Sequence, residues 1–137
     1  MVSNGGREMK KQISLAPSRL CGRVAAPPSK SHAHRLLIAA ALADRPTLVR
    51  LQGSSEDIAT TVGCLRALGA GIEQKQDGLW VQPICHVRRG AVLHCAQSGS
   101  TLRFLLPVAA ALQSEALFTG AGRLPERPLE ALLACME

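Results

Sequence analysis

Pro28-Ser29-Lys30-Ser31-His32-Ala33-His34-Arg35 opens directly onto Leu36-Leu37-Ile38-Ala39-Ala40-Ala41-Leu42. The pair Pro27-Pro28 stiffens the approach and the serines offer capping hydroxyls. The apolar run behind them predicts a largely buried helix from about Ser31 to Ala43. Ser31 and Arg35 stand four residues apart and share one helical face, with Lys30 at its mouth. A helix N-terminus attracts anions through its unpaired N–H groups and the positive end of the macrodipole. A lysine, a hydroxyl and an arginine added there predict a grip on a phosphorylated small molecule. The bland reading is a solvated helix start. Against it, the rest of the helix is apolar, so its beginning must be the polar end.

Three more helices are expected. One follows Ser54-Ser55, with Glu56 and Asp57 in its first turn, apolar Ile58, Val62, Leu65 and Leu68 at helical spacing, and Gly69 to close it. Another follows Ser98-Gly99-Ser100 and must accommodate Pro107. The last begins near Pro128 and runs through Leu133. Strand-like segments lie between them: Thr47 to Leu51, Gly71 to Gln76, Gly78 to Gln82, Val92 to Cys95, Ala116 to Thr119 and a short one at Val24 to Ala26. Gln76-Asp77-Gly78 reads as a hairpin turn.

The pattern repeats. Arg35 and Arg103 occupy similar places in two helix starts, and a strand–glycine–helix sequence occurs near Gly53 and again near Gly120. The fold class is therefore α/β (of α+β type), built of repeated βαβαββ units. Residues 1–23 form a tail and approach segment, 24–91 one full unit, and 92–137 part of a second. The last residue falls inside a predicted helix with no C-cap, so this reads as the front end of a larger protein.

Composition narrows the partners. The chain has 137 residues, 47% of them hydrophobic but only 2% aromatic, and carries a formal net charge of +6. Its core must be built of Ala, Leu, Val and Ile. Basic residues do not form blocks beyond Lys10-Lys11 and Arg88-Arg89, and tyrosine is absent. That argues against a nucleic-acid track, which wants continuous charge and stacking platforms. No apolar run approaches a membrane span, and residues 1–11 lack a signal peptide's apolar stretch. A soluble, cytoplasmic protein is expected. Five cysteines without CxxC spacing read as small buried thiols rather than a disulfide frame. His32 and His34 are two apart, which is poor metal-ligand spacing; both read as polar lining.

Two further segments carry chemistry. Gln97-Ser98-Gly99-Ser100-Thr101-Leu102-Arg103 places a glycine among hydroxyls at a helix start, where backbone N–H groups can approach an anion. Gly122-Arg123-Leu124-Pro125-Glu126-Arg127-Pro128 holds Arg127 between prolines at a helix entrance, with Glu126 placed to orient it. Glu56 and Asp57 suit a helix first turn. They are also candidates to brace Lys30 or Arg127.

These motifs together resemble the 5-enolpyruvylshikimate-3-phosphate synthase family. The matching pieces are Pro-Ser-Lys-Ser-x-x-x-Arg at 28–35, Ser-Glu-Asp at 55–57, Ser-Gly-Ser-Thr-Leu-Arg-Phe at 98–104 and Gly-x-x-x-Leu-Pro-Glu-Arg-Pro at 120–128. The resemblance implies two lobes of βαβαββ units with the site between them, of which this chain is the N-terminal third. It implies transfer of the enolpyruvyl group of phosphoenolpyruvate to the 5-hydroxyl of shikimate 3-phosphate, with no metal or organic cofactor. Lys30 would touch both substrates as the catalytic cation. Ser31 and Arg35 would hold shikimate 3-phosphate; Gly99, through its N–H, and Arg127 would hold phosphoenolpyruvate. Glu56, Asp57, Gln97, Ser100 and Arg103 are supporting candidates. Gln97 stands where the family often has Asn, and Phe104 where proline is frequent. The family's acid–base carboxylates would lie beyond this chain, in the C-terminal part that is its implied partner, so the piece alone is expected to be inactive. The alternatives are the sister transferase acting on UDP-N-acetylglucosamine, whose first helix start typically carries Lys-Asn, and a non-catalytic or nucleic-acid-binding module of related fold.

Overall fold

Each helix begins on a serine whose hydroxyl replaces a missing intrahelical partner, except the last. In the computed structural model, which describes residues 13–19 and 21–136, helix α1 spans Lys30–Ala41. Ser29 caps it, accepting from the His32 N–H at 3.4 Å. Ala33, His34, Leu37, Ala40 and Ala41 form its buried stripe. Strand β1 (Thr47–Val49) leads to α2 (Glu56–Leu68), capped by Ser55 through the Ile58 N–H at 3.3 Å. Gly69 ends α2 at φ +123°, and a Cβ there would meet the His86 carbonyl oxygen at 2.5 Å, so glycine is required.

Strands β2 (Gly71–Lys75) and β3 (Gly78–Gln82) form a hairpin closed by Gln76-Asp77, with Lys75 opposite Gly78. β1 pairs antiparallel with β3, giving a three-stranded sheet of order β1-β3-β2. Strand β4 (Val92–His94), helix α3 (Gly99–Ala111) and strand β5 (Leu117–Thr119) form a crossover unit whose strands pair in parallel, Leu93 opposite Phe118. A 3₁₀ turn at Leu124–Glu126 and the short α4 (Glu130–Ala134) follow.

The mixed α/β architecture and the element order agree with the sequence reading. α2 is the central helix, packing against α1, α3, β2 and β4. Leu37, Ile58, Leu65, Leu68, Val81, Leu93, Leu105 and Leu124 have almost no exposed surface and join the layers. The core is aliphatic, as the scarcity of aromatics requires.

Several expectations need correction. Val24 to Ala26 is not a strand: Val24 is 95% exposed and the segment belongs to neither sheet. Prolines 27 and 28 lack N–H donors, so a ladder there could not extend past Ala26. Residues 24–91 therefore hold an αβαββ arrangement. The fourth helix starts at Glu130, not near Pro128. Arg127, which precedes that proline, is extended at φ −76°, ψ 134°, as a residue before proline is biased to be. Pro107 leaves α3 a single helix over Gly99–Ala111, although the Arg103 carbonyl loses its N–H partner. Only Cys64 and Cys95 are buried; Cys21, Cys85 and Cys135 are exposed. Interaction with Cys95 and burial push the Cys64 thiol pKa up, and its S–H donates to the His94 carbonyl at 3.5 Å. Residues 1–12 and 20 of the expected tail lie outside the described residues.

Candidate functional site

Three helix starts, those of α1, α2 and α3, and the loop after the 3₁₀ turn supply the charged groups of one region. At the mouth of α1 the Lys30 ammonium donates to an Asp57 carboxylate oxygen at 2.7 Å. Asp57 lies in the first turn of α2, where the helix dipole also favours its negative charge. The hydrogen bond from Lys30 holds the Asp57 carboxyl below the usual carboxylate range, with the Ser98 hydroxyl acting in the same direction. The same contact raises the Lys30 pKa, so the pair stays ionised at neutral pH.

At the start of α3, Gly99 is buried beneath two guanidinium groups. A Cβ at this position would sit 2.5 Å from Arg127 Nη1 and 2.9 Å from Arg103 Nη1. Arg103 also donates from Nη2 to the Pro128 carbonyl at 3.1 Å, tying the loop that carries Arg127 to α3. Ser98 caps the helix through the Thr101 N–H at 3.3 Å. Gly99, Ser100, Arg103 and Arg127 line a cavity of about 430 Å³ together with Asp57 and Phe104. Arg35 reaches the same wall from α1, its guanidinium carbon 4.9 Å from the centre of the Phe104 ring. A wider cleft of about 940 Å³ lies elsewhere, between the loop after β1 and the β2–β3 hairpin; its one cation is Arg50.

Gly99, Arg103, Arg127 and Asp57 thus share one cavity wall, Lys30 joins through Asp57 and Arg35 through Phe104. Ser100 and Gln97 line the cavity as well, Gln97 packing beside Gly122. Ser31 is exposed; its backbone carbonyl accepts from Arg35 Nη1 at 2.9 Å. Glu56 is exposed and adds only a distant electrostatic influence on Lys30. Glu126 does not orient Arg127. Its carboxylate lies 3.8 Å from Arg123 Nε, because the 3₁₀ turn puts these residues three apart on one side. His32 is exposed, whereas His34 is a core residue rather than cavity lining, 1% exposed. Among the described residues no group of three or more His, Cys, Asp or Glu is placed to hold a metal ion, and no helix is long and apolar enough to cross a membrane.

The family described as EPSP synthase (3-phosphoshikimate 1-carboxyvinyltransferase) matches this sequence over residues 15–137. The chain belongs to the EPSP synthase family. It is 46% identical over 121 residues to a 3-phosphoshikimate 1-carboxyvinyltransferase of Clostridium kluyveri, covering 87% of this chain and 28% of that protein. A Clostridioides difficile protein of the same name is 36% identical, over 86% of this chain and 30% of its own length. The solved EPSP synthase of Acinetobacter baumannii superposes with a TM-score of 0.72 at 25% identity, over 84% of this chain and 27% of that one. The chain therefore spans 28 to 30% of the length of the curated EPSP synthases it matches.

Within this EPSP synthase-family wall, sequence reasoning missed the groups behind the surface. Phe104, a departure from the family's frequent proline, places its ring beneath the Arg35 guanidinium and 6.1 Å from the His34 ring. Thr61 and Thr101 are fully buried and hydrogen-bonded to each other at 2.8 Å. One signal was available: a threonine four residues after Asp57, on the apolar stripe of α2, is a polar group in need of a buried partner.

Proposed function

We propose that the protein carrying this chain transfers the enolpyruvyl group of phosphoenolpyruvate to the 5-hydroxyl of shikimate 3-phosphate. The observation that carries the reading is the start of α3, where Gly99 leaves the helix N–H groups open beneath Arg103 and Arg127. Open N–H groups and two guanidinium forks suit the phosphate and carboxylate of phosphoenolpyruvate. Lys30, braced by Asp57, lies on the side from which Arg35 and Ser31 would receive the phosphate of shikimate 3-phosphate. Gln97 and Ser100 would contribute hydrogen bonds at the rim.

In the proposed reaction the 5-hydroxyl gives its proton to a base as its oxygen bonds to C2 of phosphoenolpyruvate, and C3 takes a proton from an acid, giving a tetrahedral intermediate. Loss of that C3 proton and of phosphate restores the double bond. The cations of this wall stabilise the phosphate as it leaves, in a site whose dipoles are set beforehand. The acid and base belong to groups other than Asp57, which is committed to Lys30.

Phosphate release by the intact protein tests the reading. Release that requires both shikimate 3-phosphate and phosphoenolpyruvate is expected. Turnover with UDP-N-acetylglucosamine in place of shikimate 3-phosphate would overturn it in favour of the sister transferase. The substitution Lys30→Met is expected to lower kcat at least a hundredfold, because removing a charged hydrogen-bonding group from a transition state costs roughly 3 kcal/mol.

A further inference from the structure

Behind the cavity wall, four buried polar groups from three helices form a continuous line. His34 Nδ1 of α1 lies 2.7 Å from Thr61 Oγ1 of α2. Thr61 Oγ1 lies 2.8 Å from Thr101 Oγ1 of α3, and Thr101 Oγ1 donates to Ser98 Oγ at 2.8 Å. All four side chains are buried, with exposures of 1%, 0%, 0% and 4% in that order.

The proton count gives the line a direction. A hydroxyl has one proton to donate. Thr101 spends its own on Ser98, so Thr101 must accept from Thr61. Thr61 then has no proton left for His34, so it must accept from the imidazole. His34 therefore carries its proton on Nδ1. Burial disfavours the imidazolium, so the ring is neutral and Nε2 is bare. At the far end Ser98 accepts from Thr101 and keeps its own proton, and its hydroxyl is among the groups that lower the Asp57 carboxyl pKa.

We propose that His34, Thr61 and Thr101 are positioning residues: a one-way hydrogen-bond chain from the Nδ1–H tautomer of His34 locks the starts of α1, α2 and α3 at fixed offsets. Each start carries groups of the site: Asp57 on α2 and Gly99 and Arg103 on α3 line the cavity, and Lys30 and Arg35 on α1 join it through Asp57 and Phe104. Aliphatic packing between these helices is non-directional and tolerates small slides. Two interhelical hydrogen bonds, 2.7 and 2.8 Å long, do not. The functional role rests on the anion-site reading of the Gly99 region; the chain itself does not.

The test uses the intact protein with ¹⁵N-labelled histidine, and inorganic phosphate as the probe. The His34 signals are expected to show a protonated Nδ1 and a bare Nε2. Thr61→Val, nearly the same shape without the hydroxyl, is expected to mix the two tautomers. The same substitution should raise the Asp57 carboxyl pKa, followed by ¹³C, and weaken phosphate binding at least fivefold. Thr61→Ser and His34→Asn, which keep an acceptor hydroxyl and an N–H donor at these places, should bind phosphate within twofold of the parent. An Nε2–H tautomer in the parent overturns the chain. A folded Thr61→Val protein with parental Asp57 titration and parental phosphate affinity overturns the positioning role. Should the parent bind no phosphate, the anion reading fails by itself, while the tautomer and the Asp57 titration still decide the chain.

Discussion

Gly99 is the residue on which the wall turns, because the two guanidinium groups occupy the space a side chain would fill. Gly99→Ala should leave the fold intact, since the atoms a methyl would meet are tips of flexible arginines. It is expected to displace Arg103 and Arg127 and weaken phosphate binding about tenfold, or roughly 1.4 kcal/mol. Calorimetric titration checks this, with an unchanged or higher Tm as the sign that the helix is undamaged. His34 makes a second prediction at this scale. Its pKa is lowered from 6.5, first by burial, and among the charged groups facing it Lys30 and Arg35 oppose protonation while Asp57 favours it. A folded pKa below the unfolded one means the unfolded chain binds the extra proton. Stability is thus full above pH 6.5 and falls as pH drops from there through the folded pKa. Melting curves from pH 7.5 to 5 should show this loss, and His34→Asn should flatten it. Asp57 acts in a lower window: its depressed pKa stabilises the fold above 3.8, and that contribution disappears as pH falls below.

At the scale of elements, helix starts were legible because their signals are local. Ser29, Ser55 and Ser98 each bond an N–H three residues on, and such a partner is written within one turn of sequence. The caps should differ in worth. Ser29→Ala removes a long, exposed bond of 3.4 Å and should cost about 0.5 kcal/mol. Ser98→Ala removes a cap and leaves the proton of the buried Thr101 hydroxyl without its acceptor, and should cost about 2 kcal/mol, read from urea denaturation. The hairpin was equally readable, since a two-residue turn sets its own register. The strand expected at Val24–Ala26 was not, because a strand exists only when a partner offers a ladder edge. Glu126 went astray for a related reason: a 3₁₀ turn, which the sequence did not announce, paired it with Arg123.

For the whole molecule, α2 carries the greatest consequence, touching both helices of the site and both sheets. Leu65, fully buried on it, should cost 2–5 kcal/mol when changed to Ala, roughly the large-to-small penalty for a core leucine. The fold class was legible from element order and aliphatic composition. The 137 residues by themselves are expected to show no measurable enolpyruvyl transfer, because Asp57, the carboxylate on the cavity wall, is held by Lys30 and leaves no acid–base group there. A phosphate-release assay on the isolated chain checks this.

Which helix starts carry Lys30, Arg35, Gly99 and Arg103 is written locally in the chain, since hydroxyl caps, prolines and glycines act within a few residues. Tertiary structure alone decided which groups meet: Asp57 with Lys30, Arg35 with Phe104, and His34 through Thr61 to Thr101. Those partners lie 27 to 69 residues apart, and their meeting depends on how whole helices pack, not on local hydrogen bonding.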